Sequence, residues 1–205
     1  MEIVYSYLFV FGVIGLAGLL TKIGWLNDEG GRKFIHIGVG NWMIVVPLLF
    51  DNIWLAVIPP VTFVGLNYLS YRYDLIRAME RKEKSTGDLG SVYYAISLVL
   101  VTVLDASLFG TFTLAVLPIL VLAYGDGLAA IVGTVIPSKQ LVGTKTIYGT
   151  ATMFVVTLIV AFVMMSNLWM VFLVATVATL IELFSPRGID NLTLPLGLYL
   201  LLYLL

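Results

Sequence analysis

The chain has 205 residues, 60% of them hydrophobic and only 11% charged, with a formal net charge of -1. Soluble domains are about half apolar and about a quarter charged, so a water-soluble fold is excluded and an integral membrane protein is expected. Cysteine is absent and His36 is the single histidine, which excludes disulfides, thiolate metal sites and multi-histidine metal centres. No basic stripe points to a nucleic-acid partner.

Apolar runs near the ~20-residue length that crosses a bilayer predict spans at 3–22, 35–50, 53–70, 89–105, 111–136, 147–165, 168–184 and 190–205. The expected fold is an all-α polytopic bundle of about eight transmembrane helices, forming a single domain over 1–205. The first run, Ile3 to Leu20, lacks a basic head and a small-residue cleavage pattern, so it reads as a span rather than a cleaved signal. Its "GVIGLAG" at 12–18 is a small-residue face suited to helix packing. The second span opens with "GGRKFIHIGVGNW" (30–42). Glycines with Arg32 and Lys33 at a helix start offer an anion site, and Arg32 and His36, four apart, share one helical face. The hydrophilic third connection, "YRYDLIRAMERKEKSTGD", is expected to lie as a helix on anionic headgroups, or to act as a lid or nucleotide-contacting arm. It runs into "TGDLGSVYY", with Asp88 between two glycine turns.

The fifth run carries "AYGDGLAAIVG", with Asp126 between Gly125 and Gly127. A carboxylate beside long apolar runs is costly and marks function or pairing. The flanking glycines permit close backbone approach to a ligand. They also predict a break near Asp126, followed by a short re-entrant or interfacial helix. "GDGLAA" lacks the strand-to-helix context of a dinucleotide fingerprint. Nineteen residues on, "GTKTIYG" presents Lys145 among Gly143, Thr144 and Thr146. Backbone amides and one lysine suit phosphate oxygens, although the spacing is not that of a Walker loop. Finally, "IELFSPRGIDNLTLPL" (181–196) gathers Glu182, Arg187, Asp190 and Asn191 around a Ser-Pro turn. Each group also has a plain structural reading: a helix cap for Asp126, a snorkelling anchor for Lys145, ordinary turn chemistry for the last cluster.

The cations test the span map. Lys22, Arg32 and Lys33 fall in the first connection, Arg72 to Lys84 in the third, Lys139 and Lys145 in the fifth and Arg187 in the seventh, with none in the even connections. Cytoplasmic loops are rich in Lys and Arg, so the odd connections are expected to face the cytoplasm and both termini the other side. All candidate groups then lie at cytoplasmic ends of spans. Carboxylates, cations and glycine turns on one face suit a nucleoside triphosphate with Mg²⁺, which takes oxygen ligands, and phosphoryl transfer needs mainly positioning and charge neutralisation.

The succession "RKFIH", "GDGLAAIVG", "GTKTIYG" and "ELFSPRGIDNLTLPL", with "GSVYYAIS" as a G-x-x-Y-[FY] segment, resembles the CTP-dependent lipid-alcohol kinases. That family includes phytol kinase, dolichol kinase and the fungal CTP-dependent diacylglycerol kinase. The resemblance covers about residues 30–196. It implies a membrane enzyme that moves the γ-phosphate of CTP onto a lipid hydroxyl. The family's D-x-x-A-x-x-x-G stretch and lysine loop carry over to Asp126, Ala129, Gly133 and Lys145, with Gly125, Gly127, Gly143, Thr144 and Thr146 beside them as nucleotide contacts. In this reading Mg²⁺ bridges the triphosphate to Asp126, with Glu182 or Asp190 as second carboxylate. Lys145 holds the phosphates, helped by Arg32, Lys33 and Arg187. His36 orients the hydroxyl or contacts phosphate, and Asn191 fixes Asp190 or reads the base. The chain has Thr144 and Tyr148 where the K-K-T-x-E-G version has a lysine and an acid, which favours a phytol- or geranylgeraniol-like acceptor. The alternatives are a cytidylyltransferase making a CDP-lipid and a small transporter; the oligomeric state stays open.

Overall fold

A computed structural model describes residues 1–73 and 89–205. The expected surface helix or lid of the third connection, 71–88, lies outside the described residues from position 74 to position 88. The elements are α1 (Glu2–Lys22), α2 (Asp28–Gly40), α3 (Trp42–Leu49), α4 (Ile53–Ala56), α5 (Ile58–Tyr73), α6 (Gly90–Leu108), α7 (Val116–Leu120), a π turn (Val121–Asp126), α8 (Gly127–Val135), β1 (Gln140–Val142), β2 (Lys145–Thr146), α9 (Ile147–Met164), α10 (Leu168–Phe184) and α11 (Asp190–Leu204). The architecture is all-α apart from the small antiparallel hairpin β1–β2.

Among the described residues, five helical stretches are long and apolar enough to cross a membrane: Glu2–Lys22, Ile53–Tyr73, Gly90–Leu108, Val116–Val135 and Ile147–Met164. Leu168–Phe184 and Asp190–Leu204 are apolar but shorter. Eight spans were expected, and the second of them departs most. The helix begins at Asp28, capped by the Asn27 side chain, which accepts the Gly30 N–H at 2.7 Å. It stops at Asn41, whose amide donates to the Ile37 carbonyl and whose Oδ1 accepts the Tyr124 hydroxyl. The following helix carries Pro47, which has no N–H to donate. Neither half reaches the ~20 residues of a span, and Arg32 and Lys33 sit in the second turn of α2 rather than at its start.

The break expected near Asp126 is absent. Val116–Val135 is one continuous helical stretch, widened at 121–126 by a π turn. Such a turn inserts an extra residue into the helical ladder and is frequent at functional sites. Gly125 and Gly127 serve packing instead of ligand approach. A Cβ on Gly125 would stand 2.7 Å from Met153 Sδ, and one on Gly127 2.7 Å from Ile37 Cγ1. The two glycines therefore let α9 and α2 close on the π turn. Val121, Leu122 and Ala123 in that turn are fully buried, with α2, α9 and α11 packed around them.

α1 is peripheral. Gly12, Gly15 and Gly18 would meet nothing within 4 Å if given a Cβ, so the glycines of "GVIGLAG" do not pack within the described chain, whereas Val13 lies against Gly38 and Ala17 is fully buried.

Candidate functional site

α2 brings two side chains, three residues apart, against the π turn. Lys33 Nζ donates to Asp126 Oδ2 at 2.7 Å. His36 Nε2 lies 3.0 Å from the Leu122 carbonyl and 3.3 Å from Asp126 Oδ2. The Tyr94 hydroxyl fixes this stretch from α6 by donating to the His36 carbonyl at 2.9 Å. Arg32 borders the same cavity but pairs with Glu29 one turn back. The two α2 side chains that meet Asp126 are thus Lys33 and His36.

The hairpin supplies the opposing cation. Val142 pairs with Lys145, leaving a two-residue turn of Gly143 and Thr144, and Gly143 takes φ +54° there. Only a residue tolerant of the left-handed region closes such a turn cheaply. Lys145 Nζ bonds Glu182, at the end of α10, and Asp190 Oδ2 at 2.8 Å, at the start of α11. The Ser-Pro turn between those helices, with Gly188 at φ +86°, brings the two carboxylates together. Burial disfavours the charge on Lys145, but Asp190 and then Glu182 outweigh it and hold the ammonium above the ordinary lysine range. Asp126, Glu182 and Asp190, all buried, each place one carboxylate oxygen within 4.8 Å of the others. The two lysines and three carboxylates border one cavity of about 240 Å³.

Over 196 residues the chain is 36% identical to a phytol kinase of Synechocystis sp., covering 90% of this chain and 83% of that protein. The chain belongs to the phytol kinase family. No family model and no solved structure matches it.

In this phytol kinase family member, Ala129, Gly133, Thr144, Thr146, Arg187 and Asn191 line the cavity together with Arg32, Lys33, His36, Asp126, Lys145, Glu182 and Asp190. Gly125, Gly127 and Gly143 do not; they shape the backbone around it. Asn191 has two anchors: its N–H donates to Asp190 Oδ1, and its side-chain amide donates to the Gly90 carbonyl at 2.9 Å. Tyr148, at the position where the K-K-T-x-E-G version carries an acid, is half exposed and does not line the cavity.

Asn67, Tyr94 and Thr150 also line the cavity and were missed. Asn67 is buried in an apolar helix and donates to the Ser91 carbonyl at 2.8 Å; a lone amide in a span was the available signal. Thr150 had none, since threonine is common in such helices; Tyr94 fell at the last position of the G-x-x-Y-[FY] segment, which marked it without giving it a role.

The donor set was tested against a metal and a polar ligand. Among the described residues four buried side-chain polar atoms lack a partner: Thr102 Oγ1, Thr150 Oγ1, Glu182 Oε2 and Asn191 Oδ1. The last three belong to cavity-lining residues. Leaving such an atom unsatisfied costs roughly 1–3 kcal/mol, so this cluster is built for something polar. Three clustered carboxylates with a spare oxygen fit a hard divalent cation such as Mg²⁺ and not a soft metal.

Proposed function

We propose that the protein is an integral membrane kinase that transfers the γ-phosphate of CTP, or of another nucleoside triphosphate, to an isoprenoid alcohol such as phytol, geranylgeraniol or a polyprenol. Family membership supports the class of activity. The observation that carries the site is the convergence of Lys33, Lys145, Asp126, Glu182 and Asp190 on one cavity, with unpartnered oxygens at its edge.

Asp126, Glu182 and Asp190 would hold Mg²⁺, which when bound neutralises charge on the triphosphate. Lys33 and Lys145 exchange their carboxylate partners for phosphate oxygens as nucleotide enters, with Arg32 and Arg187 at the rim. The alcohol oxygen bonds to the γ-phosphorus and passes its proton to a carboxylate of the cluster, where Glu182 Oε2 has no other partner. The bond from that phosphorus to the β,γ-bridging oxygen breaks, and CDP leaves with the electron pair. His36, held between the Leu122 carbonyl and Asp126, orients the acceptor hydroxyl or contacts phosphate; Asn191 holds Asp190 in place.

The whole chain acts as one catalytic domain of about eight membrane segments, counting the broken α2–α3 pair and the two short helices. The cation-bearing connections and the site face the cytoplasm and both termini face the other side. This arrangement is supported by the way groups from the first, fifth and seventh connections meet at one cavity.

The test is isotopic. Protein in vesicles with geranylgeraniol, Mg²⁺ and γ-labelled CTP should yield labelled lipid monophosphate. Label arriving on lipid only from α-labelled CTP, and only with a phospholipid acid as acceptor, would replace this reading with a cytidylyltransferase.

A further inference from the structure

The cavity is polar at one end only. Its other end is walled by Val10 and Ile14 of α1, Trp42 of α3, Pro59 and Phe63 of α5, and Leu98 of α6. Depth can be followed along two antiparallel helices. On α6 the lining passes from Gly90 and Ser91 through Tyr94 and Ala95 to Leu98; on α5 it passes from Asn67 through Phe63 to Pro60 and Pro59. Asn67 and Ser91 are bonded to each other at the shallow end, beside Gly90, which anchors Asn191. Eight residues at 1.5 Å rise give each wall a depth of about 12 Å.

Among the described residues the deep part has no spare donor. Pro59 and Pro60 have no N–H. The Trp42 indole N–H is committed to Ser6 Oγ at 3.0 Å, and the Tyr94 hydroxyl to the His36 carbonyl. A triphosphate or a nucleobase has no polar partner there. An apolar arm joined to an anion- and metal-binding head matches the shape of an amphiphile with its hydroxyl outward. It also runs from the charged end of the bundle toward the membrane interior, as a lipid alcohol lies in a leaflet.

Resting on the kinase reading, we propose that this arm holds the first two to three isoprene units of the acceptor alcohol, and that it sets selectivity by chain length. Three chain bonds extend about 3.5 Å, so a 12 Å arm takes about ten chain atoms. Longer tails continue past Pro59 and Leu98 into the surrounding lipid. The whole cavity, polar end included, holds about 240 Å³, below the roughly 300–1,000 Å³ of pockets that enclose a whole ligand, so only the head-proximal part of the alcohol lies inside.

Two measurements test this. In the first, kcat/KM for prenyl alcohols should rise by about tenfold or more from five to ten carbons, as filling an apolar pocket does, and change little from fifteen to twenty. Ala95→Phe, which fills the arm at mid-depth, should raise KM for geranylgeraniol about tenfold or more while KM for CTP stays the same. Equal KM values for geranylgeraniol in wild type and Ala95→Phe, or no dependence on length below ten carbons, would overturn the proposal. The second measurement needs no turnover. With Trp25, Trp54 and Trp169 replaced by Phe, Trp42 is the sole tryptophan, and excitation at the red edge of its absorption, where tyrosine does not absorb, reads it alone. A brominated prenyl alcohol should quench it saturably, with competition by geranylgeraniol but not by phosphatidylglycerol. Absent quenching, or equal competition by the phospholipid, would sink the arm as an alcohol site. Saturable quenching in a protein that phosphorylates no alcohol would support the arm and overturn the kinase reading.

Discussion

Asp126→Asn separates the stability of the buried ion pair from its use in chemistry. Asp126 and Lys33 are each 5% exposed and joined at 2.7 Å. Neutralising one partner leaves the other charge buried with less compensation, which costs roughly 3–5 kcal/mol. For a chain of this length each kcal/mol moves a thermal midpoint by about 2–4 °C, so the apparent midpoint should fall by roughly 6–20 °C. Retention of an amide acceptor for Lys33 places Asp126→Asn toward the lower end. Lys33→Met with Asp126→Leu removes both charges and keeps the packed volume, and should bring the midpoint back near wild type. Activity should not return with it. Both variants lose a group that meets the developing charge, so both should turn over about a hundredfold slower or worse. The midpoint is read from the folded fraction on size exclusion after heating in detergent, and turnover from labelled lipid phosphate. An unchanged midpoint in Asp126→Asn would refute the buried pair. A double variant that turns over normally would refute the role of Asp126 in the reaction.

Lys145→Met removes the cation between Glu182 and Asp190, so Mg²⁺ should raise its thermal midpoint more than that of wild type; equal shifts would argue against a metal at these carboxylates. The chain has no cysteine, and single cysteines at Ser138 and Asn167 should label from opposite sides of the membrane, Ser138 from the cytoplasm. In Gly149→Ala the new Cβ would stand 3.0 Å from the Ala129 carbonyl, forcing α8 and α9 apart by tenths of an ångström and lowering turnover several-fold through misplacement of reacting groups. Gly12→Ala, which meets nothing, should leave turnover intact and stabilise the helix by about 0.5–1 kcal/mol; equal turnover in the two variants would refute the close crossing.

The membrane class, the helical fold and the residues with chemistry were legible because a low-dielectric interior makes each charge costly. Asp126, Glu182, Asp190, Lys33 and Lys145 stood out against apolar runs for that reason, and the structure brings all five together. Pairing was less legible. Arg32 and Lys33 are adjacent and equivalent on paper, but α2 begins at Asp28, about two turns before the run expected from 35, so both lie inside the helix on different faces, with Lys33 toward Asp126 and Arg32 toward Glu29. Helix continuity at Asp126 was misread for a related reason. Glycine beside a carboxylate suggests a break, and only the partner helices reveal that Gly125 and Gly127 make room for Met153 and Ile37. The apolar arm was not legible at all. Val10, Phe63 and Leu98 look like any other residues of a span, and only the packing of α1, α5 and α6 leaves space between them.

Asp105 sharpens the distinction between a carboxylate kept for structure and one kept for chemistry. It is fully buried, as deep as any group at the site. Its partners are the N–H groups of Leu114 and Ala115 and the hydroxyl of Tyr199 at 2.7 Å. Fifteen residues of α6, about 22 Å, separate it from Gly90 at the site end. These donors are short, uncharged and held by the fold, so nothing is gained by exchanging them, and Asp105 does not line the cavity of the site. Asp126, Glu182 and Asp190 are held instead by lysines on long stems, with one oxygen of Glu182 left unpartnered. A lysine can swing from carboxylate to phosphate without moving the backbone, whereas two main-chain amides cannot. The pairs Lys33–Asp126 and Lys145–Glu182/Asp190 therefore hold the charge balance of the site in a form that, in the proposed reaction, a triphosphate and a divalent cation take over group for group. That exchange requires the ammonium groups to lie on the cavity wall, which is where both are found.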